Sequence, residues 1–173
     1  MAERGETHDS FSFRDAVKED IPQLGKLHAI TWAETYNARQ ANVGLRQHQW
    51  HKTFTDENDG SWFCIVVINN KNEMVGFAKG KTFKDKSSSV LHGDLNKIYL
   101  LRDYQRLGLG KKLFGIVVKR FLSKGANDMT LFGVPQNPSC AFHQAMGGER
   151  LYSKKGTFDG GYRWQDLQKL PVN

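Results

Sequence analysis

An α/β fold built on one mixed sheet (α+β in its strand directions) is predicted by three observations. Residues 94–101 read as an Ile/Leu/Tyr-rich strand that turns through two glycines into the helical apolar pattern Leu109, Leu113, Val117 and Phe121. Residues 129–134 supply a second apolar strand behind that helix, so the two strands are parallel neighbours joined by a right-handed crossover. Residues 61–68 and 74–83, separated by Asn69-Asn70-Lys71-Asn72, form an antiparallel hairpin. A chain of 173 residues suits one domain, assigned to residues 11–170, with residues 1–10 as a disordered lead-in.

Taken in order, Phe11, Phe13 and Val17 mark a short strand broken at Asp15. Asp20 offers an N-cap with Gln23 in the capping-box position, and Pro22 falls in the permissive first turn of a helix running to about Tyr36. Ile21, Leu24, Leu27 and Ile30 are its buried stripe, leaving Trp32 and Tyr36 near its end as candidates to line a substrate pocket. Residues 45–54 form a shorter helix, on which His48 and His51 lie one turn apart without a third ligand, so no metal site is expected. The continuous run 61–68 is a strand buried on both faces. After the central helix Gly125 supplies the C-cap, Asn137-Pro138 caps a last helix that ends near Gly147-Gly148, and residues 149–152 and 161–165 close the sheet as an antiparallel pair.

Composition excludes several classes. No apolar run approaches the ~20 residues that span a bilayer, so no membrane partner is expected. Residues 1–10 resemble neither a secretory signal nor a transit peptide, which points to a cytoplasmic protein. Cys64 and Cys140 are too few and too distant for a disulfide framework or a zinc site. The net charge of +7 lacks the aromatic-basic repeats of a nucleic-acid reader, and its basic residues gather after Leu101.

That gathering surrounds the turn Gln105-Arg106-Leu107-Gly108-Leu109-Gly110 and Lys111. From Arg102 to Lys124 there are seven Lys or Arg and one acid, Asp103. Glycines spaced by one residue let the backbone N–H groups of a helix start approach an anion, so a phosphate or pyrophosphate is the expected ligand. The spacing is neither a Rossmann fingerprint nor a Walker loop, because no third glycine and no Gly-Lys-Ser/Thr follow.

Gln105-Arg106-x-Gly108-x-Gly110 after an acid-bearing strand resembles the acyl-coenzyme A signature of the GNAT N-acetyltransferase superfamily. The segment from Asn137 through Phe142 and His143 to Gly147 resembles that family's Asn-x-x-x-x-Phe-Tyr-x-x-x-Gly stretch, with His143 where the family usually has Tyr. The resemblance implies splayed central strands, Ile98, Tyr99 and Leu100 holding the pantetheine arm by their backbone, residues 106–111 taking the pyrophosphate, and Asn137 contributing to the coenzyme site. It also implies acetyl-CoA as co-substrate and no metal.

Acetyl transfer to an amine requires an uncharged amine, a stabilised oxyanion and a proton for the departing thiolate. Asp94 is the candidate base and His143 the candidate acid. The expected activity is transfer of the acetyl group to a primary amine, a small molecule in preference to a protein N-terminus, by direct attack in a ternary complex. A Cys140–His143 nucleophile is the covalent variant. A non-catalytic coenzyme A or nucleotide sensor and a basic nucleic-acid-binding module are the alternative readings, and a homodimer fits the exposed edges of such folds.

Overall fold

The computed structural model describes residues 10–57 and 59–172, so the expected lead-in lies outside the described residues apart from Ser10. The elements are β1 (Ser12–Asp15), α1 (Ile21–Tyr36), α2 (Val43–Asp56), β2 (Trp62–Ile68), β3 (Met74–Lys84), β4 (Leu91–Leu100), α3 (Leu109–Ser123), β5 (Met129–Phe132), α4 (Cys140–Ala145), β6 (Glu149–Tyr152) and β7 (Phe158–Trp164). They form one seven-stranded sheet in the order β1-β2-β3-β4-β5-β7-β6. Only β4 and β5 run parallel; the other neighbours are antiparallel.

Both faces of the sheet are covered, which explains why β2 reads as an unbroken apolar run. Phe63, Ile65 and Val67 point into a core closed by Leu113, Val117 and Phe121 of α3. Cys64, Val66 and Ile68 point the other way, against Ile21, Leu24 and Leu27 of α1 and Trp50 of α2. Gly80 and Gly93 are small because of this packing: an added Cβ would lie 2.8 Å and 2.9 Å, respectively, from the Phe121 ring. Full burial of Phe121 contributes roughly 1.5–3 kcal/mol that a side chain at either glycine would compromise.

Three local expectations are corrected. Asp20 does not cap α1 through its side chain: the carboxylate is held by both guanidinium nitrogens of Arg14, at 2.7 and 2.9 Å, and by the Val17 N–H at 2.8 Å. On the buried stripe of α1, Ile30 is half-buried and His28 takes the interior position. The last helix starts at Cys140 instead of at Pro138, because the Asn137 side chain accepts the Ser139 N–H at 2.8 Å and holds a turn there.

The feature that positions the site is the early end of the parallel ladder. β4 and β5 pair only at Gly93–Met129 and Asp94–Thr130. Beyond Asp94 the rest of β4, from Leu95 to Leu100, is paired on the β3 side alone, and a bulge interrupts that ladder at the Lys97–Leu95 step. A notch therefore opens between the two central strands, with Asp94 at its root.

Candidate active site

The notch continues into a cleft of about 750 Å³ that reaches the start of α3. Its walls include Ile98, Tyr99 and Leu100 of β4, then Gln105, Arg106, Gly108, Gly110 and Lys111 of the turn, with Phe142 and Ala145 of α4 opposite. Sequence reasoning named eight of those residues, and the fold brings them together in one continuous wall. Leu107 and Leu109 do not line the cleft: Leu109 is buried and Leu107 packs against the same core, so only their backbone faces the turn.

The turn is preset for an anion. Arg106 and Gly108 both adopt left-handed backbone conformations, at φ 63° and 80°. A non-glycine residue in that region costs about 1 kcal/mol or more, and such strain gathers at ligand-binding turns. The Lys112 N–H is the first of α3 to reach back to Gly108, so the N–H groups ahead of it lack partners within the helix. Arg106 and Lys111 add charge at the cleft, whereas Lys112 lies over the Phe13 ring at 5.0 Å and faces away. Gly110 is closely packed, since a Cβ there would lie 3.1 Å from the Phe142 ring and oblige it to shift. Gln105 secures the strand end by donating from its side-chain amide to the Leu100 carbonyl at 3.0 Å.

Across the mouth, the C-terminus of α1 meets β4 and the loop before α4. The Tyr36 hydroxyl lies near enough to Tyr99 to act on its titration, and the Asn137 amide reaches Tyr36 Oη at 3.4 Å. Burial first, then Tyr36, pushes the Tyr99 hydroxyl up to about 12. Asn137 is thus placed beside Tyr36 and does not line the cleft. Trp32 stacks on Tyr36 with ring centres 5.2 Å apart and carries the Arg46 guanidinium at 5.2 Å on its ring. Glu34, which the sequence did not single out, lines the cleft and is clamped by Arg102, whose backbone N–H and guanidinium donate to it at 2.9 Å each.

The two expected catalytic residues fare differently. Asp94 is half-buried at the notch root, with burial pushing its carboxyl above the ordinary range against the opposing pull of Lys97, Lys79 and Lys81. His143 is corrected: it faces away from the cleft into the core, 4% exposed, against Tyr162 and Trp164. Desolvation holds its imidazole down to about 4, and its Nδ1 has no hydrogen-bond partner. Cys140 donates instead to the Pro135 carbonyl at 3.7 Å, so no Cys140–His143 pair exists. His48 and His51 are exposed, and among the described residues no group of His, Cys, Asp or Glu could hold a metal ion. No described helix is long and apolar enough to cross a membrane.

The acetyltransferase (GNAT) family model covers residues 22–147. This chain belongs to the GNAT acetyltransferase family. A curated relative, the uncharacterized N-acetyltransferase YuaI of Bacillus subtilis (strain 168), is 28% identical over 165 residues, 91% of this chain and 94% of that protein. The PaiA N-acetyltransferase of Thermoplasma acidophilum, solved in complex with coenzyme A, superposes with a TM-score of 0.69 at 17% identity, covering 89% of this chain and 98% of its own. The yncA protein of Salmonella typhimurium, solved with its cofactor acetyl-CoA, gives 0.64 at 16% identity, covering 94% and 96%. These two likenesses establish the GNAT fold.

Proposed function

We propose that this GNAT chain transfers the acetyl group of acetyl-CoA to the primary amine of a small molecule, by direct attack in a ternary complex. The observation that carries the reading is the notch: a strand edge freed beyond Asp94 runs without interruption into the basic glycine turn, matching a ligand with a long polar arm ending in phosphates. Ile98 and Leu100 border the arm, and the backbone of residues 106–111 with Arg106 and Lys111 takes the pyrophosphate. Acetyl-CoA supplies the activated acyl group.

Asp94 accepts a proton from the incoming ammonium, directly or through water. The freed nitrogen lone pair forms the C–N bond, giving a tetrahedral oxyanion; the C–S bond then breaks with its electron pair leaving on sulfur, and the nitrogen sheds its second proton as the amide forms. Free backbone N–H groups of β4 stabilise the oxyanion between these events. Tyr99, which lines the cleft beside Tyr36, gives its proton to the thiolate and regains one from the nitrogen, the acid role expected of His143, whose ring is buried in the core. A thiol has an ordinary pKa near ~8.5, so the thiolate leaves with little acid help, and Tyr99, protonated at neutral pH, has only to share its proton as the charge develops on sulfur.

The test combines calorimetry with a thiol-release assay. The parent is expected to bind coenzyme A and to release thiol from acetyl-CoA only when a primary amine is present. Gly108→Val and Gly110→Val should each weaken coenzyme A binding at least about tenfold, because one strains the turn and the other displaces Phe142. Unchanged affinity in both variants would overturn the cofactor assignment.

A further inference from the structure

The face of β4 that carries Asp94 and Tyr99 also carries Lys97, and the sheet register puts a second lysine directly against it. Lys79 stands opposite Lys97, and Lys81 stands opposite Asp94. Like charges directly across an antiparallel pair repel, so a fold retains such a pair only where something else compensates it. Compensation by the protein is incomplete. Two carboxylates face the three lysines: Glu57 lies 3.6 Å from each of Lys79 and Lys81, and Asp94, opposite Lys81, acts on all three without forming a close ion pair. Lys97 Nζ donates to its neutral neighbour Asn96 at 2.6 Å, and among the described residues no carboxylate ion-pairs with it. Arg46, poised over Trp32, bonds only the amide oxygen of Gln49, at 3.0 Å.

The same place holds two unpartnered buried nitrogens. Trp50 Nε1 and His28 Nδ1 have no hydrogen-bond partner, and both residues are 2% exposed. Their rings meet edge to face at 6.0 Å, His28 leans on Tyr99 at 6.1 Å, and the Lys79 ammonium lies 5.8 Å from the Trp50 ring. An indole N–H can only donate, and an unmade buried donor is costly. The cations outnumber the carboxylates here, and that excess describes a seat for an anion, one step along β4 from Ile98, which lines the cleft.

Building on the acetyltransferase reading, we propose that the acceptor is a primary amine that also carries an anionic group, a carboxylate or a phosphate, seated on Lys97 with Lys79 and Arg46 behind it. The amine then lies toward Asp94 and the anion is neutralised where the sheet is most positive. A polyamine would bring a second positive charge against the same lysines, and the seat selects against it.

The experiment measures acetyl-CoA-dependent rates with β-alanine, O-phosphoethanolamine, ethanolamine and spermidine, alongside quenching of tryptophan fluorescence by each amine in the presence of coenzyme A. One of the two anionic amines is expected to exceed ethanolamine and spermidine in kcat/KM by about tenfold or more, and which one does so separates carboxylate from phosphate. Lys97→Met should raise KM for that acceptor about tenfold while kcat and the acetyl-CoA KM stay near the parent's, with a several-fold smaller loss for ethanolamine. Preference for spermidine or ethanolamine, or an equal loss on all four amines in Lys97→Met, overturns the proposal and leaves acetyl transfer standing. Absence of turnover with every amine, together with anion-selective quenching that Lys97→Met abolishes, supports the seat and overturns acetyl transfer to small amines. Quenching without selectivity for the anionic amines overturns the seat in either case.

Discussion

Two histidines buried without charge make the folded state sensitive to mild acid. His28 and His143 are 2% and 4% exposed, and burial holds them down to about 3 and about 4. In the unfolded chain each regains a pKa near ~6.5, so below that pH the unfolded state binds protons that the folded state refuses. Stability is therefore full above pH ~6.5, falls as pH drops through that value, and levels only below the folded pKa of each ring. At pH 5 each histidine costs about 2 kcal/mol relative to pH 7.5, from 1.36 kcal/mol per unit over ~1.5 units, and about 4 kcal/mol together. Asp15 and Asp20, which Arg120 and Arg14 hold below the ordinary carboxylate range, add their loss only below pH ~4. Urea unfolding at pH 7.5, 6 and 5 measures the slope. His143→Phe, which keeps an aromatic ring against Tyr162 and Trp164, should remove about half of the pH 7.5-to-5 loss while leaving coenzyme A affinity and turnover close to the parent's. A parent whose stability is flat between pH 7.5 and 5 refutes the linkage argument. An unchanged slope in His143→Phe refutes the place given to His143.

Two further outcomes test the chemistry. Asp94→Asn removes the base at the notch root and should lower kcat/KM by about 10²-fold, with the acidic limb of the pH–rate profile lost; full turnover at every pH would reduce Asp94 to the residue that starts the splay. Tyr99→Phe should slow turnover by at least about tenfold with coenzyme A binding intact, and Tyr36→Phe should slow it less because it removes only a neighbouring hydroxyl that acts on Tyr99; equal rates in parent and both variants would assign the proton to water.

The strand-turn-helix unit was legible because three independent signals coincide in it: the apolar strand, the glycine pair and the 3.6-residue stripe of Leu109, Leu113, Val117 and Phe121. Cap chemistry was less legible. Asp20 carries the right residue type for an N-cap, yet Arg14, six residues earlier on β1, offers its carboxylate a two-pronged charged partner that a backbone N–H does not outbid. His143 was misplaced for a related reason. Its position in the motif fixes which helix it occupies, but α4 spans only Cys140–Ala145 and its rotation against Trp164 is set by Gly148, where a Cβ would meet that indole at 2.7 Å. Glu34 and Arg46 escaped notice because each acts through a partner distant in sequence or on another helix, Arg102 for one and Trp32 for the other.

The bulge in β4 was nonetheless written in the sequence. Strict alternation from Leu95 would put Lys97 and Tyr99 on its own face, whereas the apolar residues that join the α3-side core are Leu95, Ile98 and Leu100. The odd step between Leu95 and Ile98 demands one extra residue, and the ladder to β3 slips there, between Lys97 and Leu95. One inserted residue does two things that the site needs. It keeps Ile98 and Leu100 in the core while the strand bends away from β5, and it turns Lys97 and Tyr99 to the face shared with Asp94. The base, the anion seat and the proposed proton donor then lie on one side of one strand, beside the edge that the arm of the acyl donor is proposed to follow. The reaction geometry therefore rests on a local break in strand periodicity more than on any single side chain.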